Sequence, residues 1–475
     1  MKTLTLYNSD GRELQKFKPL ESGRAGLYCC GPTVYNYAHI GNLRAYTQWD
    51  VLRRILERFG YTVKHVMNIT DVGHLTDDGD EGEDKMLKGA REKGMSVWEI
   101  AEFFTRAFFE DIERLNIQRP HISCRATEHI EDMIELVRKL EAKGFTYVSG
   151  GNVYYDTSRL PDYGRMALLD RQELRHGARV DVDTNKRNPL DFVLWFTNSK
   201  FSNQAMMWDS PWGRGYPGWH LECSAMSSRY LGEHFDIHTG GIDHIPVHHT
   251  NEIAQSEGAF GGRWVNYWVH NEFLLMKSGK MSKSKGGFLT LQSLIDQGYD
   301  ALDYRYFLLG GHYRSQLVFS TEALDAARSA RRSLMGRIAS FKRACSADAG
   351  LRGSPAADPA AAARLEAFDT ALAEDMNTPR ALAELWGLVK DDSAAPQFRL
   401  SAALEMDKVL GLKLDSAGEE EHGASQDSRL AALLEERQKA RAAKDWAGAD
   451  SIRDRLAELG WKVVDTPEGS RLEKI

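Results

Sequence analysis

Two lysines in a run of small and polar residues open the chemical reading: Lys280-Met281-Ser282-Lys283-Ser284, set between Met276-Lys277-Ser278-Gly279 and Lys285-Gly286-Gly287. A loop of that kind reaches polyphosphate, although most Lys/Ser/Gly runs are only solvated basic loops. A second string narrows the choice. Pro32-Thr33-Val34-Tyr35-Asn36-Tyr37-Ala38-His39-Ile40-Gly41-Asn42 follows a strand and opens a helix, where free backbone N–H groups and the helix dipole favour phosphate. Gly240-Gly241-Ile242-Asp243 adds a strand-ending diglycine that lets a nucleotide approach the backbone, with a carboxylate suited to ribose hydroxyls. A third set is of metal-ligand type: Cys30, Cys223, and the run His248-His249-Thr250-Asn251-Glu252. His248 and Glu252, at i and i+4, fall on one helix face, as chelation of one ion requires. By spacing alone, buried core cysteines and ordinary polar histidines stay ahead of a metal site. There is no Walker-type phosphate loop, because Gly279-Lys280 is followed by Met281 rather than Ser or Thr.

The elements that must position these residues alternate in type. The apolar run Leu27 to Cys30 stops at Gly31-Pro32 and reads as a strand entering a loop. Leu52, Ile55, Leu56 and Phe59 recur at helical spacing before Gly60, and Tyr61 to Ile69 is rich in β-formers. Strand, helix, strand predicts a parallel α/β sheet. Ser96-Val97-Trp98-Glu99 has the spacing of a capping box, starting a helix that runs toward Leu115, and another helix runs from about Glu128 to near Gly144. Tyr147 to Pro217 is turn-rich and reads as an insertion, after which α/β signals resume at Phe235-Asp236-Ile237-His238. Beyond about Ser320 the chain turns to Ala, Leu, Arg and Glu at helical spacing. Two stretches read as solvated linkers: Ala344 to Ala363, and Asp415 to Ser428 with Glu419, Glu420 and Glu421.

Composition bounds the class. A chain of 475 residues with 42% hydrophobic content predicts two to four domains. With 61 Lys+Arg against 68 Asp+Glu, the net charge of -7 excludes global attraction to a polyanion, so RNA would meet local basic patches. The five cysteines form no CxxC pair, and without a signal peptide they predict a reducing cytosol rather than a disulfide framework. Charges interrupt every apolar stretch before the roughly 18 residues a bilayer span needs. The expectation is a soluble cytoplasmic protein with no membrane partner.

The His39-Ile40-Gly41-Asn42 and Lys280-Met281-Ser282-Lys283-Ser284 strings, in this order, resemble the paired ATP signatures of class I aminoacyl-tRNA synthetases. Asn42 departs from the pattern, standing where many class I enzymes have a second histidine. Within that class the cysteine and histidine strings closely match cysteinyl-tRNA synthetases, whose zinc is held by two Cys, one His and one Glu. Residue by residue these fall on Cys30, Cys223, His248 and Glu252, leaving Cys29 and His249 as neighbours and Cys124 and Cys345 as structural. The resemblance implies ATP contacts at Pro32, Thr33, His39, Gly41, Asn42, Gly240, Gly241, Asp243, Lys280 and Lys283. It implies catalytic roles for His39, Lys280 and Lys283, and an amino-acid pocket lined by Gly31, Thr70 and Trp219; a plain core role for Trp219 stays open.

It implies a class I Rossmann-type parallel sheet over residues 1–320, with an insertion at about 120–217 and the lysine loop at 276–287. A helical tRNA-binding bundle at 321–414 and a small C-terminal anticodon-binding domain at 429–475 follow. Glu374-Asp375-Met376-Asn377-Thr378-Pro379 and Lys444-Asp445-Trp446-Ala447-Gly448-Ala449-Asp450 resemble elements of those modules. Arg328, Arg331, Arg332, Arg337, Lys342 and Arg343, then Arg437, Lys439, Arg441 and Lys444, are the basic clusters that RNA phosphates would meet.

The implied substrates are L-cysteine, ATP with Mg²⁺, and the 3′ end of cysteine tRNA. One zinc ion per chain would select the thiol, because zinc binds a thiolate and lowers a thiol pKa from about 8.5. An editing domain is then unnecessary, since a hydrophobic pocket alone rejects an isostere by only about 10²-fold. Two rivals share these features: a cysteine:amino-sugar ligase of mycothiol synthesis, which lacks the full C-terminal extension, and a synthetase-like RNA-binding protein without catalysis. Nothing in the sequence sets the oligomeric state, for which a monomer is favoured.

Overall fold

The structure, a computed structural model, describes residues 2–73, 85–168, 184–198, 206–277, 279–280, 289–346, 353–418, 430, 433–441, 445–459, 461–466 and 469–474. Its centre is a five-stranded parallel sheet. The strands are β3 (Arg24–Cys29), β4 (Thr62–Ile69), β5 (Ile122–Arg125), β10 (Phe235–Gly241) and β11 (Val265–Asn271), in the order β11-β10-β3-β4-β5. β3 pairs with β4 on one side and β10 on the other, both in parallel register. The chain therefore leaves β3 in one direction and later returns on its other flank, which makes the β3/β10 boundary a topological switch point. Open α/β sheets bind ligands at the carboxyl ends of strands flanking such a point. Cys29 and Gly241 end those two strands. The central strands are almost wholly buried, as strands covered by helices on both faces must be.

Helix α1 (Ile40–Arg58) joins β3 to β4, and Gly60 in the left-handed region lets the chain turn back into β4. α2 (Lys85–Lys93) and α3 (Val97–Arg114) follow, the latter started by the Ser96–Glu99 capping box. α4 (Ile130–Ala142), α5 (Trp219–Leu231) and α6 (Thr250–Phe260) complete the cover. The segment read as one insertion from about 120 is divided. β5 pairs with β4 inside the main sheet, so the separate piece begins only at β6 (Thr146–Ser149). With β7 (Asn152–Tyr155), β8 (Phe192–Phe196) and β9 (Tyr216–Pro217) it forms an antiparallel sheet. Tyr147, Tyr154, Val193, Phe196 and Tyr216 make its own small core. These strands are too short to show a sequence period.

After β11, β12 (Leu274–Met276) pairs antiparallel with β13 (Gly279–Lys280) and parallel with β14 (Leu317–Phe319). Between them lie α7 (Leu291–Ile295) and α8 (Ala301–Leu309). The helical region comprises α9 (Thr321–Ser346), α10 (Pro359–Ala373), α11 (Thr378–Lys390) and α12 (Pro396–Leu410). The linker expected from Ala344 to Ala363 is shorter at both ends. Ser346 still belongs to α9, and Pro359 at the first helical turn with Asp358 as N-cap starts α10. At the C-terminus, α13 (Trp446–Glu458) and the hairpin β15 (Trp461–Thr466) and β16 (Gly469–Lys474) share a separate core of Leu430, Leu433 and Leu456.

Candidate active site and metal centre

The carboxyl ends of β3 and β10 open on a cavity of about 400 Å³. Cys30, Gly31, Pro32 and Thr33 enter it from the loop after β3, and His39, Gly41 and Asn42 from the start of α1. Thr70, Trp219, Cys223, Gly241, Asp243 and His248 line the rest. Residues from strings far apart in sequence thus share one wall. Gly31 tolerates no side chain, since a Cβ there would lie 1.6 Å from the Asn68 carbonyl oxygen. At Gly240 a Cβ would lie 2.4 Å from the His249 ring, so the diglycine leaves room for histidines beneath the strand end as well as for a ligand above it.

His39 is the N-cap of α1. Its Nδ1 accepts from the Asn42 N–H at 3.0 Å, and the Asn42 side-chain oxygen accepts from the His39 N–H at 3.2 Å. This reciprocal capping box shows what the amide at position 42 does: it locks the first turn and fixes the orientation of His39. An acceptor Nδ1 leaves the proton of a neutral ring on Nε2. β13 carries the backbone of Lys280, whereas Lys283 lies outside the described residues.

Below the cavity Cys30, Cys223, His248 and Glu252 are all buried, and their donor atoms lie within 4.8 Å of one another. A turn of π-helix over Ile245–His249 leads into α6, and it places His248 and Glu252 on one face despite the expanded winding. His248 Nε2 lies 2.6 Å from Glu252 Oε1, and His238 Nε2 lies 2.7 Å from Oε2. Both contacts are within ion-pair range, yet among the described residues neither carboxylate oxygen has an aligned hydrogen-bond partner. Buried acceptors left so are costly unless something else meets them. A cation between the donors would, and two sulfurs, one imidazole and one carboxylate fit tetrahedral zinc.

Electrostatics within the cluster are tightly coupled. Burial, then the neighbouring Cys223 sulfur, pushes the Cys30 thiol up, while its hydrogen bond to Cys223 pulls that thiol down. Burial alone would lower His248, but the Glu252 carboxylate and the Cys223 sulfur outweigh it and raise the imidazole to about 10. Burial likewise opposes ionisation of Glu252, and the His248 and His238 rings beside it hold its carboxyl well below the usual range.

Behind these donors stands a second layer of rings, of which the sequence had singled out only Trp219. His220 Nδ1 meets His248 Nδ1 at 2.9 Å, and Trp219 lies over the His248 ring with centroids 4.4 Å apart. His249, set aside as a neighbour, joins Cys30 Sγ at 3.4 Å and His270 at 2.7 Å. His238, His244 and His249 belong to alternative donor groups around Cys30 whose atoms also lie within 4.8 Å of one another. Both ring nitrogens of His249 are already engaged, and His238 stacks on Trp268. Nothing local in the sequence marks His238, which shares its strand with the polar Asp236 and Thr239. Thr70 donates to Glu222 at 3.0 Å and accepts from Asn68 at 3.0 Å, so it reaches the cavity from a fixed rotamer.

Residues 16–329 match the family model described as the class I (C) tRNA synthetase catalytic domain, and residues 426–470 match that of the cysteinyl-tRNA ligase anticodon binding domain. Over 98% of both chains the sequence is 53% identical to a cysteine–tRNA ligase of Treponema denticola. It is 50% identical to cysteine–tRNA ligase 1 of Burkholderia lata, over 99% of this chain and 96% of that one. The chain belongs to the cysteine–tRNA ligase family. Among solved structures its fold is similar to methionyl-tRNA synthetase of Mycobacterium tuberculosis bound by methionyl-adenylate, with a TM-score of 0.56 and 17% identity over 82% of this chain and 90% of that one. A LeuRS–tRNA–LeuAMS complex from Agrobacterium radiobacter also gives a TM-score of 0.56, at 12% identity and 85% coverage of each chain. These two likenesses bear on fold alone. They place this cysteine–tRNA ligase family member among class I architectures, with its parallel sheet and helical bundle.

Proposed function

We propose that the chain activates L-cysteine with ATP and transfers it to the 3′ end of cysteine tRNA, using a zinc ion held by Cys30, Cys223, His248 and Glu252 to choose the amino acid. The observation that carries this reading is the cavity itself: three of the four donors, Cys30, Cys223 and His248, lie on its wall beside the His39 end of α1. A zinc ion there supplies a soft Lewis acid that binds a thiolate and lowers a thiol pKa. Thr70, Gly31 and Trp219 bound the space for the rest of the amino acid. Its carboxylate attacks the α-phosphorus of ATP in line and pyrophosphate leaves; Mg²⁺ would accompany the ATP phosphates. His39, Lys280 and Lys283 stabilise the charge that develops on the phosphates. Pro32, Thr33, Gly41 and Asn42 approach the nucleotide from the first signature, and Gly240, Gly241 and Asp243 from the end of β10. The tRNA terminal ribose hydroxyl then takes the acyl group and AMP departs. No protein nucleophile is needed.

The C-terminal match supports tRNA over an amino sugar as acceptor, since an anticodon-binding module serves only the former. No helix among the described residues is long and apolar enough to cross a membrane, which is in keeping with a cytoplasmic enzyme, for which a monomer is favoured. ATP–pyrophosphate exchange dependent on cysteine, followed by charging of cysteine tRNA, tests the reading. Exchange without charging would reassign the acceptor, and no exchange at all would overturn it.

A further inference from the structure

Arg44 lies two positions beyond Asn42 in α1 and is fully buried. Its guanidinium donates to backbone carbonyls on two segments. Nη1 reaches Glu272 at 2.8 Å and Phe273 at 2.5 Å, and Nη2 reaches His312 at 3.2 Å and Ser315 at 2.5 Å. The first two carbonyls lead into β12, and the second two belong to the loop that leads into β14. The same segments are stitched by backbone bonds, from Glu272 N to Tyr313 O at 2.8 Å and from Leu317 N to Phe273 O at 3.2 Å. β13, which carries Lys280, stands on β12 through the pairs Leu275–Lys280 and Met276–Gly279. A planar fork serving two carbonyl pairs is work an ammonium cannot copy. A buried cation held by carbonyls is also an expensive way to fill space.

The loop is gripped from its other side by the helical region. Asp375, between α10 and α11, accepts from the Tyr313 hydroxyl at 2.6 Å and the Tyr7 N–H at 2.9 Å through Oδ1, and from Arg314 Nε at 2.6 Å through Oδ2. Asp375 and its successor Met376 have φ of 58° and 54°, a region that residues with a Cβ enter at a cost and keep only where their surroundings over-determine it. Asp375 belongs to the Glu374 to Pro379 string for which the functional reading found no chemistry.

We infer that Arg44 and Asp375 are positioning residues that clamp the 312–315 loop between them, fixing the base of the β12–β13 hairpin so that the helical region and the backbone of Lys280 are held in one register. Tyr313 and Arg314 are the parts of the loop that Asp375 holds. The kinetic half of this inference rests on the ligase reading; the structural half does not. Two measurements on the full chain test it. Amide hydrogen exchange over 272–280 should quicken at least about tenfold in Arg44→Lys and in Asp375→Asn, while α4 and α5 keep wild-type protection. Unchanged exchange over 272–280 in both variants overturns the inference whatever the activity. In single-turnover adenylate formation at saturating cysteine and ATP, each variant should lose at least about tenfold. The double variant should lose no more than about threefold beyond the worse single one, because both act through the same loop. Bound zinc and the KM for cysteine should stay at wild-type values. Losses that multiply, or a raised KM for cysteine without a slower step, would show independent structural roles and refute the clamp. If Arg44→Lys does not fold, Tyr313→Phe, which removes one hydroxyl, carries both measurements. A wild-type protein lacking cysteine-dependent exchange would defeat the functional reading and leave the hydrogen-exchange result to decide this one.

Discussion

The four proposed donors of the metal centre come from three parts of the fold, and that decides what the loss of each should do. Cys30 follows β3, Cys223 sits in α5, and His248 and Glu252 flank the start of α6. Replacing Cys223 by Ser keeps the volume and removes the soft donor, so the variant should purify without its zinc and lose most of its cysteine affinity; full zinc by elemental analysis would reject the assignment. His220 is a subtler case, because it touches His248 rather than the cavity's ligand. His220→Ala should weaken zinc affinity by about 10- to 100-fold, the range for partners that orient a ligand; competition with a chelator measures it. Cys30, Cys223, His248 and Glu252 were legible in the sequence only through a family pattern, because spacing marks just the His248–Glu252 pair. His220, His238 and His249 were not, since nothing local reveals that three buried rings converge. Asn42 was read only as a departure from the class pattern, and the structure adds its place in the cap of α1.

Among the elements, α1 does most to bring the parts together. Its N-terminus holds the His39–Asn42 string proposed to meet ATP, Arg44 meets the base of β12, and Asp50 joins it to α8 through Arg305 at 2.7 Å, both groups being fully buried. Burial alone would raise the Asp50 carboxyl, but the charges of Arg305 and Arg54 and the Gln118 N–H outweigh it and hold it below its ordinary 3.8. Asp50→Asn strands a buried guanidinium and should cost about 3–5 kcal/mol in denaturant unfolding at neutral pH. A depressed carboxyl contributes stability above its unfolded pKa and loses it as pH falls through the folded value. The gap between wild type and variant should therefore be full at neutral pH and close as pH drops below about 3.8. A gap that widened in acid would contradict the assignment. Strands β3, β4 and β10 and helices α1, α3 and α4 were readable from apolar runs, periods and caps, whereas β5 fell inside the expected insertion and β11 was not singled out. The β6–β9 sheet was not, since its pairing is long-range and its strands short.

The whole molecule has a large continuous core reaching from β1 (Thr5–Asn8) to Ala417, and a separate C-terminal core. The sequence placed the division at Asp415 to Ser428, but Ala417 is buried and Asp407 caps the Leu412 and Leu414 N–H groups. A chain ending after Gly418 should therefore keep the catalytic core folded and retain cysteine-dependent exchange. Arg437 is buried rather than open to RNA, so loss of Lys439, Arg441 and Lys444 should raise the KM for tRNA and flatten its salt dependence; charging at full kcat/KM would deny the C-terminal segment a role in recognition. The central claim concerns selection, and the most direct test is ATP–pyrophosphate exchange with cysteine and serine compared in the same preparation. If metal and thiol choose together, kcat/KM for serine should lie at least about 10⁴-fold below that for cysteine, beyond the roughly 10²-fold that pocket shape alone provides. Serine activated within about tenfold of cysteine would contradict the account.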